Sequence, residues 1–326
     1  MFEFPNGVSS YGIPLPAGGS VLMTQGKSFF VDPTNGSDSY DGKSVSRAKA
    51  TLPAGYALLT AGRNDVLYYM AGTSGISLSA TLTWAKSYTH MVGVCAPVNM
   101  NQRARIFQTA DATALNPLIN ITGSGCSFRN FYINQGVADA TSKVCVQVTG
   151  DRNYFENIHF NGIGNDTMDV DQATCVKLDA AHFCRFVNCV LGSQSTSAGS
   201  AATNSELWFD GESSQNTFED CIFTRRIEHE TNHVLVQVED ALGIGAFNLF
   251  KRCLFMYTSV NQAYTGGSVF EIPAISSKTR IIVLQDCMAV AGDTSATDWD
   301  SNDRGILYAN MPAPTASAAG GLATIQ

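Results

Sequence analysis

Six short segments of this 326-residue chain superimpose on one another. Phe128-Arg-Asn-Phe-Tyr-Ile133 aligns with Phe155-Glu-Asn-Ile-His-Phe160, Phe186-Val-Asn-Cys-Val-Leu191, Phe218-Glu-Asp-Cys-Ile-Phe223, Phe250-Lys-Arg-Cys-Leu-Phe255 and Leu284-Gln-Asp-Cys-Met-Ala289. Their starting positions lie 27, 31, 32, 32 and 34 residues apart, a near-regular period of the solenoid kind. Each copy follows a second apolar run, at 118–121, 146–148, 176–178, 207–209, 234–238 and 269–272. Both runs alternate as strands do, and Asn, Asp, Gly and Ser turns separate them without a convincing helix. One such unit cannot bury its apolar face alone, so successive copies must stack.

Stacking turns each position of the hexad into a column. The fourth position reads Cys189, Cys221, Cys253 and Cys287 in the last four copies, and small apolar thiols recurring there predict a buried ladder of core residues. Disulfides between them are disfavoured, because rungs about 4.8 Å apart carry parallel Cβ vectors, a poor match to disulfide geometry. The third position reads Asn130, Asn157, Asn188 and Asp220 in four copies, a polar column expected to hydrogen-bond along a tight corner.

On this repeat pattern the sequence resembles the right-handed parallel β-helix proteins, the pectate-lyase-like solenoids. The resemblance implies an all-β, right-handed parallel β-helix over 64–292. A coil of that family needs only some 20-odd residues, so the longer period here implies an excursion from each coil. The polar stretches 162–173, 192–205, 224–233 and 257–267 are the expected loops, all leaving at one corner, where solenoids make contacts. Residues 28–63 read as an entry strand followed by a capping helix at 46–61, whose Ala48, Leu52, Tyr56 and Leu59 form one apolar face. Residues 1–27 and 293–326 read as extended terminal arms. Met311, Pro312, Leu322 and Ile325 are the expected partner-binding residues of the second arm.

Composition narrows the function. Charged residues are only 15% of the chain and the net charge is −8, with no basic stripe to neutralise phosphates, so direct nucleic-acid binding is not expected. No run approaches the roughly 20 apolar residues of a membrane span, and the first residues lack the basic and apolar regions of a signal peptide. Nine cysteines, an odd number without a CxxC pair, fit a reducing cytoplasm.

Catalytic signals are sparse. His229-Glu-Thr-Asn-His233 fits a zinc-protease string, but Thr231 and Asn232 are poor helix formers and the string runs into a repeat strand. No zinc site is expected. Asp32, Asp38 and Asp41 beside turn glycines are weak calcium candidates without EF-hand spacing, and no cofactor is expected. If the chain were a polysaccharide-cleaving enzyme, like many proteins on this scaffold, Asp210, Glu212, Asp169 and Glu228 would be the acids to carry it. The expectation is instead a non-enzymatic structural protein of a bacteriophage virion, decorating a capsid or associated with the head. It would be homotrimeric, assembled in the host bacterial cytoplasm and bound to other virion proteins. The rival expectation is a tailspike or receptor-binding protein that binds or depolymerises bacterial surface polysaccharide.

Overall fold

The computed structural model describes residues 9–10, 13–14, 26–109, 114–198, 203–227, 233–239, 243–259, 269–273, 280–291, 305–310 and 322–324. Among them the chain winds into a parallel β-solenoid. Its three faces are a ten-stranded sheet (A), a nine-stranded sheet (B) and a seven-stranded sheet (C), which successive strands visit in turn. Residues one repeat apart thus become neighbours. Phe128, Phe155, Phe186, Phe218 and Phe250 stand in register across sheet A, and their rings stack inside the coil with centroids 5.3, 4.4, 4.7 and 4.7 Å apart. Each buried ring contributes about 1.5–3 kcal/mol, and the ladder spacing brings the stack into favourable offset geometry.

Cys189, Cys221, Cys253 and Cys287 are buried beside this stack as free thiols. The last three each donate to a carbonyl of the preceding coil: Cys221 to Phe186 at 3.5 Å, Cys253 to Phe218 and Cys287 to Phe250 at 3.4 Å.

The third hexad position makes the corner from sheet A to sheet B. Asn130, Asn157, Asn188, Asp220, Arg252 and Asp286 all have φ between 51° and 59°, the left-handed region that Asn and Asp tolerate better than other residues with a Cβ. The column is thus selected by backbone conformation as well as by hydrogen bonding. Asn157 Nδ2 donates to Asn130 Oδ1 at 2.8 Å, and where Arg252 interrupts the series its guanidinium pairs with Asp220 at 2.7 Å.

Three expectations differ from what the chain does. The helix is α1, Leu52–Ala57, preceded by a 3-10 turn at Val45–Arg47. Pro53 restricts the residue before it and cannot sit in a helix interior, while Lys49 is bound as a bridge to Val31. Thr51 caps the shorter helix through its hydroxyl, and Leu52 and Leu59 still bury against the first coil.

Three of the four stretches expected as loops at the B-to-C corner begin as strand, whereas 162–173 leaves the sheet as a loop with a 3-10 turn at Asp166–Met168. Val190–Ala198, Ile222–Ile227 and Leu254–Ser259 continue sheet B past the corner. Their Ser, Thr and Arg content hid this continuation.

The sheets also continue into the expected C-terminal tail. Ile306–Ala309 pairs with Ile281–Gln285, and Leu322–Thr324 with Met288–Ala291. Leu284 meets Tyr308, 24 residues on, a spacing that falls outside the longer period. Leu322 therefore belongs to a sheet strand, whereas Met311, Pro312 and Ile325 lie outside the described residues. Of residues 1–27, Ser9–Ser10 pairs antiparallel with Ile13–Pro14.

Candidate functional site

Alternation decides which side chains of sheet C face outward. Val146, Val176, Leu207 and Val236 point into the core, so Gln147, Lys177, Trp208, Gln237 and Glu271 form an outer row in register. Two residues beyond the row's Lys177 and Trp208, Asp179 stands directly opposite Asp210. Neighbouring strands lie about 4.8 Å apart, so these are carboxylates of adjacent coils. Both are engaged. Lys177 Nζ meets Asp210 Oδ2 at 2.8 Å while lying 4.0 Å from the centre of the Trp208 ring, and Gln147 Nε2 donates to Asp179 Oδ2 at 2.9 Å. Trp208 is only 5% exposed beneath this cover, and its Nε1 has no hydrogen-bond partner among the described residues.

The acids expected from sequence do not converge. Asp210 turns to Lys177, whereas Glu212 turns to Arg280 at 2.8 Å. Asp169 is buried elsewhere, accepting from Asn204, and Glu228 lies outside the described residues. Asp179 was missed. The second apolar run carried its signal, because aligning Lys177-Leu-Asp179 with Trp208-Phe-Asp210 and Gln237-Val-Glu239 displays an acidic column.

The calcium candidates are separate turn acceptors. Asp32 accepts from the backbone of Thr34 and Asn35, Asp38 from Ala50 and Thr51, and Asp41 from Lys43. Among the described residues no group of three His, Cys, Asp or Glu side chains is placed to hold a metal ion.

A second polar group lies where the extension of sheet B meets the outside of sheet C. Cys175 and Glu206 alternate outward on sheet C yet are fully buried, with Arg225 of the extension and His233 against them. Glu206 Oε1 accepts from Arg225 Nε at 2.5 Å and stands 3.3 Å from His233 Nε2, and Oε2 accepts from the Cys175 thiol at 2.7 Å. Arg225 Nη1 donates to the Ile163 carbonyl at 3.1 Å, and Tyr257 donates to that of His233 at 3.2 Å. Burial alone would raise the Glu206 pKa, but Arg225 and the hydrogen bonds from His233 and Cys175 hold it well below the usual carboxylate range. Gly192 is required beside it, since a Cβ there would lie 1.9 Å from the Thr224 carbonyl oxygen and 2.7 Å from the Glu206 carboxyl carbon. This closed ion pair ties the extension to sheet C. His233 of the zinc-like string serves it, while His229 and Glu230 lie outside the described residues.

No protein-family model matches the sequence, and no curated protein matches it. Solved structures share the fold. A pectate lyase, Pel9A, superposes with a TM-score of 0.55 at 13% identity, over 86% of this chain and 68% of that one. A pectin methylesterase from Aspergillus niger gives 0.54 at 12% identity, over 87% and 80%. A phage protein, Geobacillus virus E2 ORF18, gives 0.41 at 11% identity, over 91% and 61%.

Proposed function

We propose that this chain is a structural protein of a bacteriophage particle, assembled in the host cytoplasm as a homotrimer and attached to other virion proteins at the capsid. The observation that carries this reading is an apolar column on the outside of sheet A at its C-terminal end. Leu249, Val283 and Leu307 stand in register there, flanked by the pair Phe247 and Ile281, and Leu307 is 52% and Phe247 42% exposed. Contiguous exposed apolar side chains of this kind mark protein–protein contact. Further back on the same face, charges are paired from coil to coil: Arg129 with Glu156 at 3.2 Å, and Glu219 with Arg252 at 2.8 Å and Lys251 at 3.3 Å.

The test is the molar mass of the purified chain together with immunogold labelling of particles. A trimer that Val283→Glu and Leu307→Glu convert to folded monomers, with label over the head, is the expected result. A wild-type monomer, or particles without label, would overturn the reading.

A second reading, contact with a surface polysaccharide, is favoured by the outer face of sheet C, where the Asp179 and Asp210 pair adjoins Trp208 and a row of amides. Two fold neighbours act on pectate and pectin. Label at the tail tip, with glycan binding weakened in Asp179→Asn, would favour it over capsid decoration.

A further inference from the structure

The outer face of sheet A carries, at its N-terminal end, an arrangement that none of the roles above uses. Thr89–Val94 and Ser127–Arg129 are neighbouring strands, with His90 in register with Ser127. Met91 and Phe128 are core residues, so His90 and Ser127 face outward side by side. Ser127 Oγ lies 2.7 Å from His90 Nδ1, and the Ser127 backbone N–H donates to the same nitrogen at 3.1 Å. A backbone N–H can only donate, so Nδ1 is the acceptor and the ring proton sits on Nε2. Nε2 in turn lies 3.3 Å from the Asn64 side-chain oxygen, an acceptor that suits that tautomer. Asn64 is itself fixed at φ 58°.

We propose that Ser127, His90 and Asn64 form a nucleophile, base and orienting group that cleave small carboxylic esters. A hydroxyl within hydrogen-bond reach of a base that a third group orients is the general signature of an activated nucleophile. Burial and the Arg129 charge, against the opposing charge of Asp65, push the His90 pKa down to about 4, so the imidazole is neutral at pH 7 and its Nδ1 lone pair faces Ser127. Arg129, two residues along the same face, lies 5.0 Å from the centre of the Tyr154 ring and pairs with Glu156 at 3.2 Å, so only the part of its charge that Glu156 leaves uncompensated bears on a developing oxyanion. Tyr154 is the next residue in register with Ser127 and gives the alcohol portion of the ester an aromatic surface. Ser127 and His90 are 7% and 8% exposed, which restricts the acyl group to a slender one such as acetyl.

In the reaction Ser127 Oγ bonds to the ester carbonyl carbon as its proton passes to His90 Nδ1. The bond to the alcohol oxygen breaks, and the alcohol leaves with that proton. Water then attacks the acyl-serine, giving a proton to His90, and the carboxylic acid departs as Ser127 Oγ recovers the proton.

A built-in control exists in His182, whose Nδ1 lies 2.9 Å from Ser214 Oγ but whose other nitrogen meets no partner among the described residues. The test uses the full chain with p-nitrophenyl acetate and a fluorophosphonate probe, reading the labelled peptide by mass spectrometry. Expected are labelling at Ser127 and hydrolysis at least about tenfold above that of Ser127→Ala and His90→Gln, with Ser214→Ala unchanged. Asn64→Ala should lower kcat with little change in KM and move the acid limb of the pH profile. Variants are compared only where their thermal unfolding matches the wild type. Label absent from Ser127, or a folded Ser127→Ala as active as the wild type, would overturn the proposal.

Discussion

The inside of the coil and the seam outside sheet C solve burial in opposite ways. Inside, like residues repeat at equivalent positions: Phe186 lies on Phe218 and Phe218 on Phe250, and each rung offers the next an apolar surface. Any one rung is a local matter. In the seam, Cys175 and Glu206 share one position on adjacent coils but differ in chemistry, Arg225 and His233 come from other positions, and each meets a chemically different partner. Its charges are satisfied only as a set, so its failure is collective. Repetition gives graded stability, whereas a closed polar set fixes one arrangement at the risk of stranding a charge.

The largest effect that separates the two regions comes from Arg225→Met. It leaves the Glu206 carboxylate buried without its cation, which costs about 3–5 kcal/mol. The double variant Glu206→Leu with Arg225→Met removes both charges and should recover most of that loss. Within the coil, a change to a somewhat smaller apolar side chain such as Phe218→Leu should cost less than Arg225→Met and should not be rescued by any partner substitution. Urea unfolding of the four proteins measures this. A double variant as unstable as Arg225→Met alone would show that the seam is held by packing rather than by its charges.

This contrast also explains which features were legible in the sequence. The coil, its Phe and Cys columns and the corner residues repeat in register, so a one-dimensional comparison finds them. The seam does not repeat: Glu206 aligns with Cys175 and Leu235, and Arg225 with Tyr257, so no column announces it. Asp179 is legible only by aligning the second apolar run of each repeat, since it lies one coil away from Asp210. The strand at Ile306–Ala309 was hidden by a shorter coil, and the extensions of sheet B by their polar residues. Ser127 and His90 stand 37 residues apart on different repeats, a proximity visible only once the register of sheet A is known.

Acid should also affect the two regions differently. The seam holds His233 below its ordinary value through burial, so the fold keeps it neutral while the unfolded chain binds a proton below about pH 6.5. That stability is lost as pH falls. His159, similarly desolvated, and His90 add in the same direction. Glu206 is also held down, so its contribution is complete above about pH 4.3, the unfolded value, and disappears as pH falls further. The expected urea midpoint is flat between about pH 7 and 8, declines below 6.5 and steepens below 4.3. The Glu206→Leu with Arg225→Met protein should lose part of the steeper phase, whereas Phe218→Leu should shift the whole curve without changing its shape. Identical acid profiles for all three would remove the seam from the explanation.

The smallest effect probes the corner that joins sheets A and B, where both strategies meet. Asn157 satisfies a left-handed backbone at φ 51° and donates to Asn130 across the coils. Replacing it with Ala forfeits both, at about 1–2 kcal/mol in all. Glycine adopts the same backbone without strain and forfeits only the amide contact, so Asn157→Gly should be more stable than Asn157→Ala. Thermal unfolding distinguishes the contributions. Equal losses would assign the column to its hydrogen bonds, and a near-neutral Gly variant would assign it to backbone geometry. At Arg252, the same left-handed conformation in a residue less suited to it is accompanied by ion pairs with Glu219 and Asp220. There Arg252→Gly and Arg252→Ala both remove the ion pairs, so the gain of Gly over Ala reports the backbone alone and should match that at Asn157 in low and in high salt.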